Sequence, residues 1–137
     1  MVRRLEELGV AEHSIGDTIG RASPDDVRRL LDLLLKSVPV EKIFLHFHDT
    51  YGMAVANALV AWEDYGVSGF DASTGGVGGC PYAPGATGNV AMEDLVFAFH
   101  ASGGATKVDV KALQDAAKGL AAAMGRPVSS RLSKLSL

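Results

Sequence analysis

The feature that most constrains the fold of this chain is a repeated alternation of short strand-like runs and longer helix-like runs. EHSIGDT at 12–18, KIFLHFHD at 42–49 and VSGFDAS at 67–73 read as strands, and a helix-like segment lies downstream of each. Parallel strands need a crossover connection, which is usually a helix, so this order predicts βα units and a parallel sheet. The expected fold class is therefore α/β.

The first complete helix carries clear start signals. In SPDDVRRLLDLLLKSV at 23–38, Ser23 is placed to cap the helix and Pro24 to occupy its first position. Asp25 and Asp26 fall in the first turn, where negative charge suits the helix dipole. The apolar residues recur at the spacing of one buried helix face, formed by Val27, Leu30, Leu31, Leu34 and Val38.

The remaining helices are predicted from similar signals. VRRLEELGV at 2–10 looks like the end of a helix closed by a glycine, and helices are expected near 91–102 and 109–125. Another helix should run from about Gly52 to Tyr65 and end at Gly66. Its predicted buried face contains Val55, Leu59 and Trp62.

Three strands are few for a parallel sheet, because such a sheet is normally covered on both faces. A complete eight-stranded barrel takes about 250 residues, whereas this chain has 137. A chain that opens with the tail of a helix also suggests a start in the middle of a fold. We therefore expect part of a TIM (β/α)8 barrel.

Composition and charge limit the kinds of partner that the chain is expected to bind. The formal charge of −3, without a long basic run, predicts no nucleic-acid partner and no attraction to an anionic membrane. No apolar stretch reaches the roughly 18 residues of a membrane span, and the first residues lack the apolar centre of a secretion signal. The single cysteine, Cys80, fits a reducing compartment, so a cytoplasmic protein is expected.

Two histidines stand in the second strand. Side chains alternate along a strand, so His46 and His48 point to the same side as Phe44. Such a pair can bind one metal ion, although two hydrogen-bonded interior histidines are an equally reasonable interpretation. Their position at the carboxyl end of a parallel strand, where α/β folds place their ligands, favours a functional role.

Polar residues end the other strands too. Asp17 ends the first strand, and Asp71 and Ser73 end the third, so several groups are expected on one rim. Asp49 and Thr50 are better explained as caps of the helix that follows them.

A glycine-rich loop, STGGVGGCPYAPGATGN at 73–89, follows the third strand. It lacks the Gly-Lys-Ser/Thr of a phosphate-binding loop and the glycine spacing of a dinucleotide fingerprint. Cys80 lies in its middle. A free cysteine is usually a small buried apolar residue, but in a glycine-rich loop over a polar rim it becomes a candidate acid or base.

GDTIG, LHFHDTYG and above all GGVGGCPYAPGATGN followed by EDL closely resemble 3-hydroxy-3-methylglutaryl-CoA (HMG-CoA) lyases, a family of barrel metallolyases. The resemblance runs from about Leu5 to the end of the chain. It implies residues 1–137 are the C-terminal portion of a single barrel domain, with about three βα units and C-terminal helices. It also implies cleavage of HMG-CoA to acetoacetate and acetyl-CoA, a reaction of leucine degradation and ketone body formation.

The resemblance also assigns site residues. It makes His46, His48 and Asn89 ligands of a divalent metal, Mg²⁺ or Mn²⁺, and it places His46 in the catalytic centre. Cys80 matches the cysteine that transfers a proton to the departing acetyl-CoA carbanion. Asp17 matches an aspartate that handles a proton or orients the substrate.

The resemblance further implies a CoA thioester substrate, with Ser73, Gly125 and Arg126 as substrate-binding residues. Family members are commonly homodimers, and a mitochondrial matrix location is the alternative if the source is eukaryotic. An arginine, an aspartate and a glutamate of the family site belong to strands outside this sequence. The expectation is therefore a truncated or partial gene product with doubtful activity in isolation.

Three alternatives stay open. A related Claisen-type synthase, such as an isopropylmalate or homocitrate synthase, would share the histidine pair but is not expected to have the cysteine loop. A non-catalytic metal-binding fragment is the alternative of a different class. A redox sensor built on Cys80 has little support, because there is no second cysteine to resolve it.

Overall fold

A computed structural model of the chain describes residues 2–79 and 88–135. It confirms the α/β class: three parallel strands form one sheet in the order β1-β2-β3, and helices separate the strands along the chain. The elements are α1 (Val2–Glu7), β1 (His13–Asp17), α2 (Pro24–Leu34), β2 (Ile43–Phe47), α3 (Ala54–Tyr65), β3 (Gly69–Asp71), α4 (Met92–Ala101) and α5 (Val110–Met124).

The two faces of the sheet differ as the strand pattern predicts. On one face, Ile43, Leu45 and Phe47 of β2 are buried in the same apolar cluster as residues of α2 and α3. The other face, which we call the open face, carries Ser14 and Gly16 of β1, Phe44 and His46 of β2, and Gly69 and Asp71 of β3. Within the described residues, β1 and β3 each have one edge without a neighbouring strand.

Helix α2 begins as predicted. Ser23 Oγ accepts the backbone N–H of Asp26, and the Asp26 carboxylate accepts the backbone N–H of Ser23 in return. The Ser23 hydroxyl also donates to this carboxylate, and together with Arg29 these bonds lower the pKa of Asp26 to about 2. One predicted core residue is wrong: Leu30 is 40% exposed, because it lies at the edge of the buried stripe.

Helix α3 packs differently from the prediction. Its buried face consists of Ala54, Asn57, Ala58 and Ala61, whereas Val55, Leu59 and Trp62 are only half-buried. Small side chains allow the helix to approach the rest of the core closely, so the larger residues lie on its flank. They still pack against the core, and the Trp62 ring meets a ring of α4 edge to face.

Ion pairing joins the first helix to the amino ends of the strands. Glu6 of α1 accepts a hydrogen bond from His13 at 2.6 Å, and Lys42 donates to the same carboxylate at 3.0 Å. These contacts lower the pKa of Glu6, with the His13 hydrogen bond as the largest cause. None of the helices in the described part of the chain is long and apolar enough to cross a membrane.

Candidate functional site

The two histidines lie together at the carboxyl end of β2. His46 is the fourth residue of the strand and His48 follows its end, with ring centroids 5.1 Å apart. His48 is 8% exposed, and its Nδ1 atom is buried without a hydrogen-bond partner among residues 2–79 and 88–135. A buried imidazole nitrogen without a partner is costly, and in the tautomer that carries the proton on Nε2, the Nδ1 atom of His48 has the lone pair that a metal ligand needs.

Backbone pairing brings Asn89 to the same place. His48 and Asn89 form an isolated antiparallel bridge, in which the Asp49 N–H donates to Gly88 O at 2.8 Å. The N–H of Val90 donates to the carbonyl of the last residue of β2 at 3.1 Å. The end of the glycine-rich loop is thus fastened beside the histidines. The family resemblance assigned Asn89 and the two histidines to one site, and the structure places the backbones of His48 and Asn89 side by side.

The orientation of Asn89 suits a ligand oxygen. Its side-chain Nδ2 donates to Val77 O at 3.1 Å, which turns the amide oxygen away from that carbonyl. No group of three or more His, Cys, Asp and Glu side chains in the described residues is placed to hold a metal ion. Two imidazoles and an amide oxygen fit part of the six-coordinate shell of a divalent cation, so further ligands would come from other groups or from water.

Asp17 lies on the other face of the sheet from His46. It pairs in register with Phe47, and its carboxylate accepts the N–H groups of Arg21 at 3.1 Å and Ala22 at 2.9 Å. In this structure the side chain therefore holds the turn after β1. Its catalytic role stays a prediction.

Asp71 shares the open face with His46, because the two residues are partners in the β2–β3 register. The Ser14 hydroxyl donates to its carboxylate at 3.4 Å from the far strand, so a polar contact crosses the open face. Both aspartates end strands, but they lie on opposite faces of the sheet, because side chains alternate along a strand and Asp17 pairs with Phe47 whereas Asp71 pairs with His46.

Ser73 holds the two ends of the glycine-rich loop. Its N–H donates to Val90 O at 3.1 Å, its carbonyl accepts from Met92 N at 2.9 Å, and its hydroxyl donates to Val77 O at 2.5 Å. These contacts are structural, and substrate binding by Ser73 stays a prediction. Cys80 lies outside the described residues.

The other predicted substrate residues lie beside the start of that loop. Gly125 ends α5 with a φ of 64°, which favours glycine, and Arg126 follows it. A cleft of about 470 Å³ is lined by Arg126, by the glycine-rich segment 75–79 and by residues 127–129. The Ser129 hydroxyl donates to Gly75 O at 3.0 Å, which fastens the tail to the loop. Arg126 thus borders a cleft, and Gly125 lies next to it.

Two buried carboxylates in the first turn of α4 were not predicted. Glu93 is completely buried, and both its oxygens accept the Gly75 N–H at 3.1 Å. Asp94 accepts from the Ser130 hydroxyl at 3.0 Å and from the backbone N–H groups of Arg131 and Leu132, both at 2.8 Å. The available signal was the pair of acids in the first turn of a helix, where negative charge suits the helix dipole, but this signal does not identify the donors in the loop and the tail.

The side-chain contacts of Arg131 were also not predicted from the sequence. Its Nη1 donates to Asp49 Oδ2 at 3.0 Å and lies 3.6 Å from Asp94 Oδ2. The hydrogen bond to Asp49 is the main reason that the pKa of Arg131 is raised. The other Asp49 oxygen accepts the N–H of Ala54, the first residue of α3, at 3.0 Å, so Asp49 bonds to the start of that helix although the N-cap residue is Met53.

Parallel βα units with polar groups at the carboxyl ends of the strands are the arrangement expected of part of a (β/α)8 barrel. Within that class of fold the chain belongs to the HMGL-like family, whose model matches residues 1–119.

The relatives of this chain include enzymes and solved structures. Hydroxymethylglutaryl-CoA lyase of Pseudomonas mevalonii is 47% identical over 131 residues, which are 96% of this chain and 43% of the relative. The HMG-CoA lyase structure from Bacillus subtilis superposes with a TM-score of 0.90 at 46% identity, covering 95% of this chain and 43% of that one.

A third relative carries ligands. An HMG-CoA lyase from Acinetobacter baumannii, in complex with coenzyme A and 3-methylmalate, superposes with a TM-score of 0.91 at 39% identity. The match covers 98% of this chain and 44% of that structure. The chain therefore spans less than half the length of the relatives that it matches, and the superposition confirms the prediction of a partial barrel.

Proposed function

We propose that this chain supplies the metal-binding and acid-delivering part of a carbon-carbon lyase that cleaves HMG-CoA to acetoacetate and acetyl-CoA. The observation that supports the proposal is the backbone bridge between His48 and Asn89 at the carboxyl end of β2. The names of the relatives support the substrate and the reaction. Neither the synthase nor the redox alternative has a comparable observation in its favour.

In this proposal, His46, His48 and Asn89 hold a divalent cation, Mg²⁺ or Mn²⁺. When bound, the cation would polarise the tertiary hydroxyl of the substrate and lower its pKa. The described residues act by orientation. The Asn89 side chain is fixed by its hydrogen bond to Val77 O, and the backbone of His48 is fixed by its bridge to Asn89. Rigid placement of this kind reduces the entropy cost of reaching the reactive geometry.

The glycine-rich loop would deliver the proton. Cys80, assigned by the resemblance alone, would protonate the carbanion of acetyl-CoA as the carbon-carbon bond breaks. The cleft beside Arg126 would receive part of the CoA moiety, because the exposed guanidinium offers a positive charge to its phosphates. The ligands of the Acinetobacter baumannii relative, coenzyme A and 3-methylmalate, support the substrate class.

A complementation assay tests the proposal. Acetyl-CoA release from HMG-CoA, with added Mg²⁺, is measured for the chain alone. It is then measured for the chain joined behind the N-terminal part of the Bacillus subtilis relative that this chain does not match. We expect activity in the joined protein, and its loss in His46→Ala and Cys80→Ala. His100→Ala is the matched control, since His100 is exposed and bonded to Thr106.

Activity that survives His46→Ala would overturn the proposed metal site, and a soluble, folded but inactive joined protein would overturn the lyase assignment. The dimeric state, the cytoplasmic location and the extent of the barrel domain stay predictions. The non-catalytic alternative predicts metal binding without acetyl-CoA release in the same assay.

A further inference from the structure

We propose that Arg131 is a positioning residue, which holds the turn after β2 in the geometry that keeps His48 and Asn89 together. This inference rests on the proposed function, because it concerns the ligands of that same site. Among the described residues, the Arg131 side chain bonds to Asp49 and Asp94 and to none of the three predicted ligands, so its effect would pass through Asp49.

The first step is the anchoring of Arg131 itself. Its backbone N–H donates to the buried carboxylate of Asp94, which also accepts from Ser130 and Leu132 on either side. The backbone of Arg131 is therefore fixed even though its side chain is 64% exposed. A guanidinium on a fixed backbone loses less conformational freedom when it binds a partner.

The second step is the contact with Asp49. This carboxylate is only 13% exposed, and its two oxygens face different elements: Oδ1 accepts from the first residue of α3, and Oδ2 accepts from Arg131. Arg131 also lies against the turn itself, because a Cβ on Gly52 would be 3.8 Å from its Nη2. The C-terminal tail thus closes over the β2–α3 turn.

The third step leads from Asp49 to the ligands. Asp49 follows His48 directly, and its own N–H forms the 2.8 Å hydrogen bond to Gly88 O, next to Asn89. Any movement of the Asp49 backbone would therefore alter the spacing between His48 and Asn89. Arg131 restrains that movement by holding the Asp49 side chain, and the bridge between His48 and Asn89 restrains it through the backbone.

The test measures Mn²⁺ affinity of the 137-residue chain by electron paramagnetic resonance of the free ion, which needs no turnover. We expect Arg131→Met to raise the Kd about three- to ten-fold, which is less than the roughly 10- to 100-fold effect of removing a direct partner of a metal ligand, because Arg131 acts through Asp49. Arg131→Lys should recover most of the affinity, because Arg131 reaches Asp49 through a single nitrogen.

Arg28→Met is the matched control. Arg28 is also a half-exposed arginine with two carboxylate partners, Asp25 on its own helix and Asp64 on α3, and neither partner belongs to the proposed site. Urea unfolding should show similar small losses of stability in both methionine variants. An increase in Kd confined to Arg131→Met would then reflect positioning and not general destabilisation.

His48→Ala separates the two proposals. If it abolishes Mn²⁺ binding while Arg131→Met binds like the wild type, the positioning role is overturned and the proposed metal site stands. If Mn²⁺ binding does not depend on His48, the proposed ligand set is wrong and the role of Arg131 falls with it. An equal increase in Kd for Arg28→Met and Arg131→Met would also overturn the positioning role.

Discussion

Replacing Gly20 by alanine tests whether the turn after β1 is shaped to fit the end of β2. Gly20 is buried with a φ of +71°, and its N–H donates to Asp17 O at 3.1 Å. A Cβ at this position would lie 2.8 Å from His48 O and 2.9 Å from the Cβ and the backbone N of Thr50. Because two of these atoms belong to the backbone of the site, the contact cannot be relieved by a side-chain rotation.

The structure contains a matched control for the backbone strain. Gly66 has a φ of +73°, but a Cβ there would meet nothing within 4 Å. Left-handed backbone costs a residue with a Cβ about 1–2 kcal/mol, so both alanine variants should lose this amount. Overpacking adds about 1–3 kcal/mol at Gly20 alone, which gives about 2–5 kcal/mol in total. The smaller entropy of the unfolded alanine chain affects both variants equally.

Urea unfolding followed by far-UV circular dichroism gives the two free energies of unfolding, and a common m-value would validate the comparison. We expect Gly20→Ala to be the less stable variant and to bind Mn²⁺ more weakly, because the carbonyl of His48 must move. Gly66→Ala should keep wild-type Mn²⁺ affinity. Equal destabilisation of the two variants would refute the close contact between Gly20 and the end of β2.

Three further substitutions give independent checks by the same unfolding measurement. Asp94→Ala should cost about 3 kcal/mol, because it leaves donors in the tail 130–132 without an acceptor, and an effect below about 1 kcal/mol would contradict the buried contacts. Asp26→Asn should be destabilising at pH 6. Its pKa is lowered from 3.8 to about 2, so the stabilisation is present above pH 3.8 and is lost as the pH falls toward 2. The deficit of Asp26→Asn should therefore shrink over that interval, and a constant deficit would argue against the ionised cap. Gly69→Ala should cost about 1–3 kcal/mol, because a Cβ would lie 2.5 Å from the Phe44 ring, and Phe44→Leu should relieve part of that cost in the double variant.

Local patterns predicted the elements of this fold well. Ser23 and Pro24 start α2, Gly66 ends α3, and the alternation along β2 assigns Leu45 to the core and His46 to the opposite face. Each of these outcomes depends on neighbours in sequence, through capping or through strand periodicity. The errors, at Leu30 and along α3, arose because packing between elements decides which flank of a helix is buried.

The contacts that support the site could not be predicted from such local patterns. The pairing of His48 with Asn89 followed from the family resemblance and not from spacing, since α3, β3 and the glycine-rich loop lie between them in the sequence. Arg131 and Asp49 are 82 residues apart, and nothing near either residue identifies the other as its partner. That Asp17 and Asp71 lie on opposite faces of the sheet follows from the alternation of side chains once the pairing of the strands is known.

The most direct test of the site is a crystal structure of the joined protein grown with Mn²⁺, with anomalous diffraction recorded at the manganese edge. The account predicts one strong anomalous peak within bonding distance of imidazole nitrogens of His46 and His48 and of Asn89 Oδ1. A peak that contacts neither histidine, or full Mn²⁺ occupancy at another position with these side chains unliganded, would contradict the site at the carboxyl end of β2.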